Sequence, residues 1–180
     1  LKRFGYIFKN ENKELAGYVI LKNKKIILTM DIGDSPSNNF SKSYQAGALS
    51  FEIISNGKKL ITNSGYFVNK NNKLNKLSKS SALHNTLTIE DHSSCDFKKI
   101  NKSNLIIGKG ININKKNIVF EDNYWKISGS HDGYLKKFKS IHEREVEFYP
   151  EQMKFVGFDK LSRKDATQNI KFDIRFHLDP

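Results

Sequence analysis

An all-β, antiparallel sandwich (supersandwich-like) is the fold this sequence predicts, and three observations predict it. Runs rich in β-branched and aromatic residues recur every 8–12 residues or so, the spacing of short sandwich strands. Gly, Asn, Asp and Lys turns separate those runs. No window holds a helical period over three turns.

The elements follow in order. Ala16 to Lys22 and Lys25 to Met30 read as a hairpin turning at Asn23-Lys24. Leu49 to Ile53 alternates apolar with polar, and Asn56-Gly57 then leads into Leu60-Ile61-Thr62. Two strands around Asn-Gly are the strongest short-range hairpin signal, because both turn residues must adopt positive φ. Leu83 to Glu90 alternates again, predicting a strand with Leu83, Asn85, Leu87 and Ile89 on its buried face and His84 opposite. Further strands are predicted at Asn104 to Ile107, Ile118 to Glu121, Tyr124 to Ser128, Arg144 to Tyr149, Gln152 to Phe158 and Ile170 to His177. Asp34 to Ser43 and Phe67 to Ser81 are polar and rich in breakers, and read as loops.

The 180 residues suit one domain, 1–180, with a core that buries roughly 70% of the unfolded surface. Thirteen Phe and seven Tyr supply bulky core material. No run approaches the roughly 20 apolar residues of a membrane helix. The opening Leu1-Lys2-Arg3-Phe4 and closing Phe176-His177-Leu178 read like interior polypeptide, so the domain is expected to be truncated at one or both ends. The net charge of +12 invites a polyanion as partner, nucleic acid or acidic polysaccharide. The lysines are dispersed among asparagines, with neither a basic helix face nor an RNA-recognition sheet motif, so nucleic acid is disfavoured. A single Cys95 excludes an internal disulfide.

Several ordered segments resemble the C-terminal sandwich of heparinase II/III-like polysaccharide lyases. They are Gly17-Tyr18-Val19, Asp31-Ile32-Gly33, Ala48-Leu49-Ser50-Phe51-Glu52 and the run from Gly57 to Gly65. Ser81-Ala82-Leu83-His84-Asn85, Ser130-His131-Asp132-Gly133-Tyr134, His142-Glu143-Arg144 and Arg175-Phe176-His177-Leu178 follow. The resemblance implies an α/α-toroid domain preceding this one, which these residues lack, with the cleft between the two. It also implies β-elimination on uronic-acid-containing acidic polysaccharide in the full-length protein, which requires a neutralised carboxylate, a base and an acid. The fragment alone is expected to be inactive. The rival reading is a non-catalytic carbohydrate-binding or cell-envelope structural descendant. A periplasmic or envelope location is implied by the family only.

Candidate site residues rest on the same resemblance. His84 is the catalytic candidate; against it stands a half-exposed strand histidine bonded to a backbone carbonyl. Asn85, Gln45, Asn63, His131 and Tyr134 are the substrate-binding candidates, with turn stabilisation as the alternative for Gln45 and Asn63. The family's His-x-His-x-Asp segment is Tyr44-Gln45-Ala46-Gly47-Ala48 here, and its Asp-Ser-Gly is Asn63-Ser64-Gly65. Zinc wants three or four His, Cys or carboxylate ligands, so no cofactor and no metal are expected. Arg144 reads as a cross-strand ion-pair partner, and Trp125 as core rather than a sugar platform.

Overall fold

The structure, a computed structural model, describes residues 10–67, 72–100, 105–163 and 169–180. Its first sheet is an antiparallel meander of β1 (Glu11–Leu15), β2 (Tyr18–Lys22), β3 (Ile26–Asp31), β4 (Phe51–Ser55) and β5 (Lys58–Ile61). A short helix, α1 (Asn72–Ser78), precedes β6 (Leu87–Ile89), and β7 (Asp96–Lys99) pairs with β8 (Leu105–Lys109). The second sheet takes β9 (Ile113–Phe120), β10 (Trp125–His131), β11 (Ser140–Tyr149) and β12 (Lys154–Arg163), with a one-turn helix α2 (Leu135–Phe138) between β10 and β11. Finally β13 (Phe172–Ile174) returns to pair with β6.

The expected hairpins form where the turn chemistry puts them. Asn23 Oδ1 accepts the Lys25 and Ile26 amides at 2.8 Å each and closes the β2–β3 turn. Asn56 and Gly57 both take positive φ, 50° and 79°, as the β4–β5 turn requires. The two sheets face each other across one core. Val19, Leu21, Leu28, Met30, Phe51 and Ile53 from the meander meet Trp125, Ile127, Val146 and Phe148 from the second sheet. Trp125 is therefore core, its ring centroid 4.9 Å from that of Phe148. No helix among the described residues is long and apolar enough to cross a membrane.

Sheet edges are managed differently on the two sides of the meander. β1 carries Glu11, Lys13 and Glu14 along an exposed edge. β5 is covered by the 177–179 segment: Thr62 donates to His177 O, Asp179 donates to Leu60 O, and Ile61 bridges Leu178.

β11 alternates buried and half-buried residues over its whole length, but its inward face changes character midway. Val146 and Phe148 are apolar; Ser140, His142 and Arg144 are polar and equally buried. Arg144 sits opposite Asp159 in register, so the cross-strand ion pair expected from sequence is present, and it is internal. Its Nε and Nη2 grip the Asp159 carboxylate at 2.8 and 3.0 Å. Its Nη1 donates across the interior to Leu49 O at 3.1 Å and to Asn85 O. A bidentate fork with carbonyl acceptors on its remaining arm is what makes a buried guanidinium tolerable.

Two histidines continue this network, and their tautomers follow from donor logic. Gly133 N–H donates to His131 Nδ1 at 3.2 Å, so the His131 proton is on Nε2. That proton points to His142 Nδ1 at 3.1 Å, which leaves His142 Nε2–H to donate to Asp159 at 2.6 Å. The chain works only with both rings neutral. Burial, with neighbouring positive groups, holds both below the usual histidine range. Burial alone would raise Asp159, but the hydrogen bonds from His142 and Arg144 outweigh it and keep the carboxyl ionised. An unfolded histidine takes up a proton near pH 6.5 and this folded pair does not, so the pair's contribution is full above that pH and shrinks below it.

Three sequence expectations need correction. The predicted strand from Leu83 to Glu90 shortens to β6, because Ser81–Leu83 coils into a 3-10 turn and both faces of the segment are buried. The Phe67 to Ser81 loop holds α1, too short to declare a helical period. The last predicted strand shrinks to β13, and the strands β1 and β7 carried no signal because they are mostly charged and exposed. Asn104, the predicted start of β8, lies outside the described residues.

Arg144→Met should cost about 3–5 kcal/mol in urea unfolding, since it strands a buried carboxylate. The imidazole NMR signals of His131 and His142 should show no midpoint at the ordinary histidine value; a midpoint near 6.5 would disprove the neutral chain.

Candidate functional site

A cleft of about 330 Å³ opens on the outer face of the meander. Its floor consists of residues that alternate with the core. Val19, Met30 and Phe51 point in, so Tyr18, Thr29, Asp31 and Glu52 point out. Register sets Tyr18 beside Asp31 and Thr29 beside Glu52, gathering four polar groups on three strands. The turn before Tyr18 is drawn in by glycine: Gly17 has φ +86°, and a Cβ there would lie 2.7 Å from Gly33 Cα. Ile32 N–H donates to Gly17 O at 2.8 Å, so the two backbones touch where Tyr18 and Asp31 emerge.

The wall is made by Ser43, Tyr44, Gln45, Gly47, Ser50, Asn63, Gly65 and His84, and Leu49 lies behind it. Buried Leu49 adopts φ 58°, a left-handed conformation that costs an apolar residue on the order of 1–3 kcal/mol. Its N–H on Asp31 O at 2.9 Å and its carbonyl under Arg144 hold it there. The network between the sheets thus reaches the cleft through the backbone.

His84 is buried, 3% exposed, at the end of the 3-10 turn, and is not the half-exposed strand histidine expected from alternation. Its Nδ1–H donates to Ser80 O at 2.9 Å, leaving Nε2 3.3 Å from Gln45 Oε1. Gln45 is oriented by its own amide, which donates to Ser78 O at 3.1 Å. Both ring nitrogens of His84 therefore face oxygen acceptors. The imidazolium would satisfy both, yet burial favours the neutral ring and pulls the pKa below the usual value. A neutral His84 keeps a lone pair on Nε2 with an acceptor waiting for the proton it gains. Gly47 makes room for this ring, since a Cβ there would lie 2.8 Å from His84 Cδ2.

Of the six candidates, Gln45, Asn63 and His84 meet at the cleft. Asn63 accepts the Asn85 N–H at 2.8 Å and donates to Ser50 Oγ at 3.3 Å. The other three lie elsewhere. Asn85 is fully buried: Nδ2 donates to Phe51 O, Oδ1 accepts from His177 N–H, and its carbonyl accepts from Arg144. His131 is committed to His142, and Tyr134 donates its hydroxyl to Leu87 O at 2.8 Å inside a small second core. Every strong polar atom of these three side chains is spent on the protein, so none is offered to the cleft.

Tyr18, Asp31, Tyr44 and Glu52 were not singled out from sequence. The usable signal was parity: Asp31 ends a strand whose even positions are apolar, so it had to face outward beside Tyr18. Burial pushes the Asp31 carboxyl up to about 7, despite the Gly33 N–H that stabilises its charge. Burial, with Asp31 nearby, also raises the Tyr44 phenol, whose buried hydroxyl has no partner among the described residues. No lysine or arginine is among the described residues lining the cleft.

The family model described as Heparinase II/III-like, C-terminal, matches residues 12–180. The chain belongs to the heparinase II/III-like family. Solved structures with the same fold include a mutant heparan sulfate lyase HepC from Pedobacter heparinus, with TM-score 0.67, 17% identity, and coverage of 93% of this chain and 24% of that one. The unmutated HepC from Pedobacter heparinus gives 0.60, 16%, 82% and 21%, and a heparinase III with methylated lysines gives 0.60, 17%, 86% and 22%. The chain thus spans about a quarter of the length of these structures. No curated protein matches it by sequence.

Around His84, Gln45 and Asn63 are neutral amides that already hold hydrogen bonds, and neither is a usual zinc ligand.

Asp31→Asn should raise the unfolding temperature at pH 8, where the parent carries a desolvated carboxylate, and the advantage should shrink as pH falls towards 4. The sign follows from a folded pKa above the unfolded 3.8: the folded state holds the proton longer, so ionisation costs stability as pH rises through about 7. A pH-independent difference would show that Asp31 is not a buried acid.

Proposed function

We propose that this domain supplies one wall of a polysaccharide-lyase active site in the full-length protein, acting by β-elimination on uronic-acid-containing polysaccharide, with His84 as the catalytic residue. The observation that carries the reading is His84 itself. It lines the cleft, is fixed through Nδ1–H to Ser80 O, has Gln45 Oε1 3.3 Å from Nε2, and burial favours its neutral ring.

β-Elimination removes the proton next to the uronate carboxyl, forms a C=C bond and expels the glycosidic oxygen, which must be protonated. His84 Nε2 can take up a proton from the sugar or pass one to the leaving oxygen. Once protonated, the ring finds both hydrogens accepted, by Ser80 O and Gln45 Oε1, which lowers the cost of the charge. The second N–H and second lone pair left on the Gln45 and Asn63 amides bind ring hydroxyls. Neutralisation of the uronate falls to the toroid domain implied by the family, since the described cleft residues bring no cation. The same lack of cations favours the second reading, a domain that holds the sugar chain without reacting. A periplasmic or envelope location belongs to this proposal and is supported by family resemblance alone.

The decisive experiment incubates the full-length protein with heparan, chondroitin and alginate polymers and follows the absorbance of unsaturated uronate. Turnover that drops at least about 10²-fold in a folded His84→Ala variant supports the proposal; no product with any polymer moves the reading to sugar binding. Metal analysis of the same preparation should find no stoichiometric zinc, and removal of metal should leave turnover unchanged.

A further inference from the structure

We propose that Lys79 is a positioning residue for the cleft: its buried ammonium clamps the 42–46 loop, and the backbone on either side of it sets His84 and Gln45. This inference rests on the active-site reading above only for its consequence in turnover.

Lys79 is 1% exposed, an unusual place for an ammonium group. Its Nζ donates to Lys42 O at 2.7 Å and to Tyr44 O at 2.8 Å. The rings of Tyr66 and Phe97 lie 5.3 Å from it, so two π faces replace the counter-ion. Its own carbonyl accepts the Ala46 N–H at 2.9 Å. One residue therefore binds the loop at positions 42, 44 and 46, on both sides of Gln45.

Its neighbours complete the arrangement. Ser78 O orients the Gln45 amide at 3.1 Å, and Ser80 O fixes His84 Nδ1 at 2.9 Å. Three consecutive carbonyls at the end of α1 thus set the two side chains that face each other at 3.3 Å, together with the loop between them. For stability alone, a methionine in this space would avoid the desolvation of a charge. The ammonium supplies what methionine lacks, donors for two carbonyls that would otherwise let the loop lift away.

The test compares the folded wild-type chain with Lys79→Met by NMR titration of its histidines. Release of the loop should hydrate His84 and separate it from Gln45, so its pKa should rise towards the ordinary 6.5, with the His131–His142 pair unaffected. Lys79→Arg, which keeps the donors, should restore part of the wild-type value. In the full-length protein, kcat should fall roughly 10²-fold with a smaller change in KM. A His84 titration in Lys79→Met identical to wild type overturns the proposal, and so does an equal shift in all the buried histidines. If Lys79→Met does not fold, the wild-type Lys79 ammonium is observed directly: slowly exchanging Nζ hydrogens support the clamp, and rapid exchange overturns it. A full-length protein without lyase turnover that still shows the His84 shift leaves the clamp standing and removes only the catalytic reading.

Discussion

The guanidinium of Arg144 joins parts of the molecule that share no strand. One edge grips Asp159 on β12, and the other reaches the carbonyls of Leu49 and Asn85, in the segments that lead into β4 and β6. A sandwich usually couples its sheets by apolar contact alone, which resists separation but permits sliding. Here a directional link also ties the second sheet to the segments that lead into β4 and β6. It also holds Leu49 in a backbone conformation that an apolar residue would not choose. The geometry at His84 thus depends on an ion pair whose anion lies on the far sheet.

The hairpins and the alternating strands were readable in the sequence because their signals are local. Asn56-Gly57 dictates its turn, and the alternation from Leu49 to Ile53 dictates a face. The site was readable only in part. Alternation around His84 suggested a strand, yet the pattern arises from a 3-10 turn leading into a short strand buried on both faces. Asn85, His131 and Tyr134 share the residue chemistry of a binding site, and their donors and acceptors are used by partners far away in sequence, such as His177, His142 and Leu87. Lys79 gave no signal, since a lysine in a polar segment reads as solvated surface until tertiary contacts enclose it.

The charge of +12 proved a poor guide to the cleft. The cleft's described lining carries Asp31 and Glu52 and no cation, while Lys115 and Lys126 pair with Glu143 and Glu145 on the outer face of the second sheet. Any long-range attraction for a polyanion would act on the approach of the chain and be screened by salt. The lining itself offers hydroxyls, amides, two carboxyl groups and one imidazole.

The two edges of the meander have unequal consequences for solubility. β1 protects itself, because stacking a second molecule along it would bring Glu11, Lys13 and Glu14 against another strand's charges. β5 carries Lys58 and Lys59 at its start, but its Leu60–Ile61 end relies on residues 177–179, which are tethered through His177 to the buried Asn85 amide. Detaching that tether would expose unpaired peptide groups next to Leu60, Phe176 and Leu178, all largely exposed apolar side chains. Self-association through β-strand addition is therefore the failure mode to expect of shortened or destabilised versions of this domain, and it would begin at the strand farthest from β1.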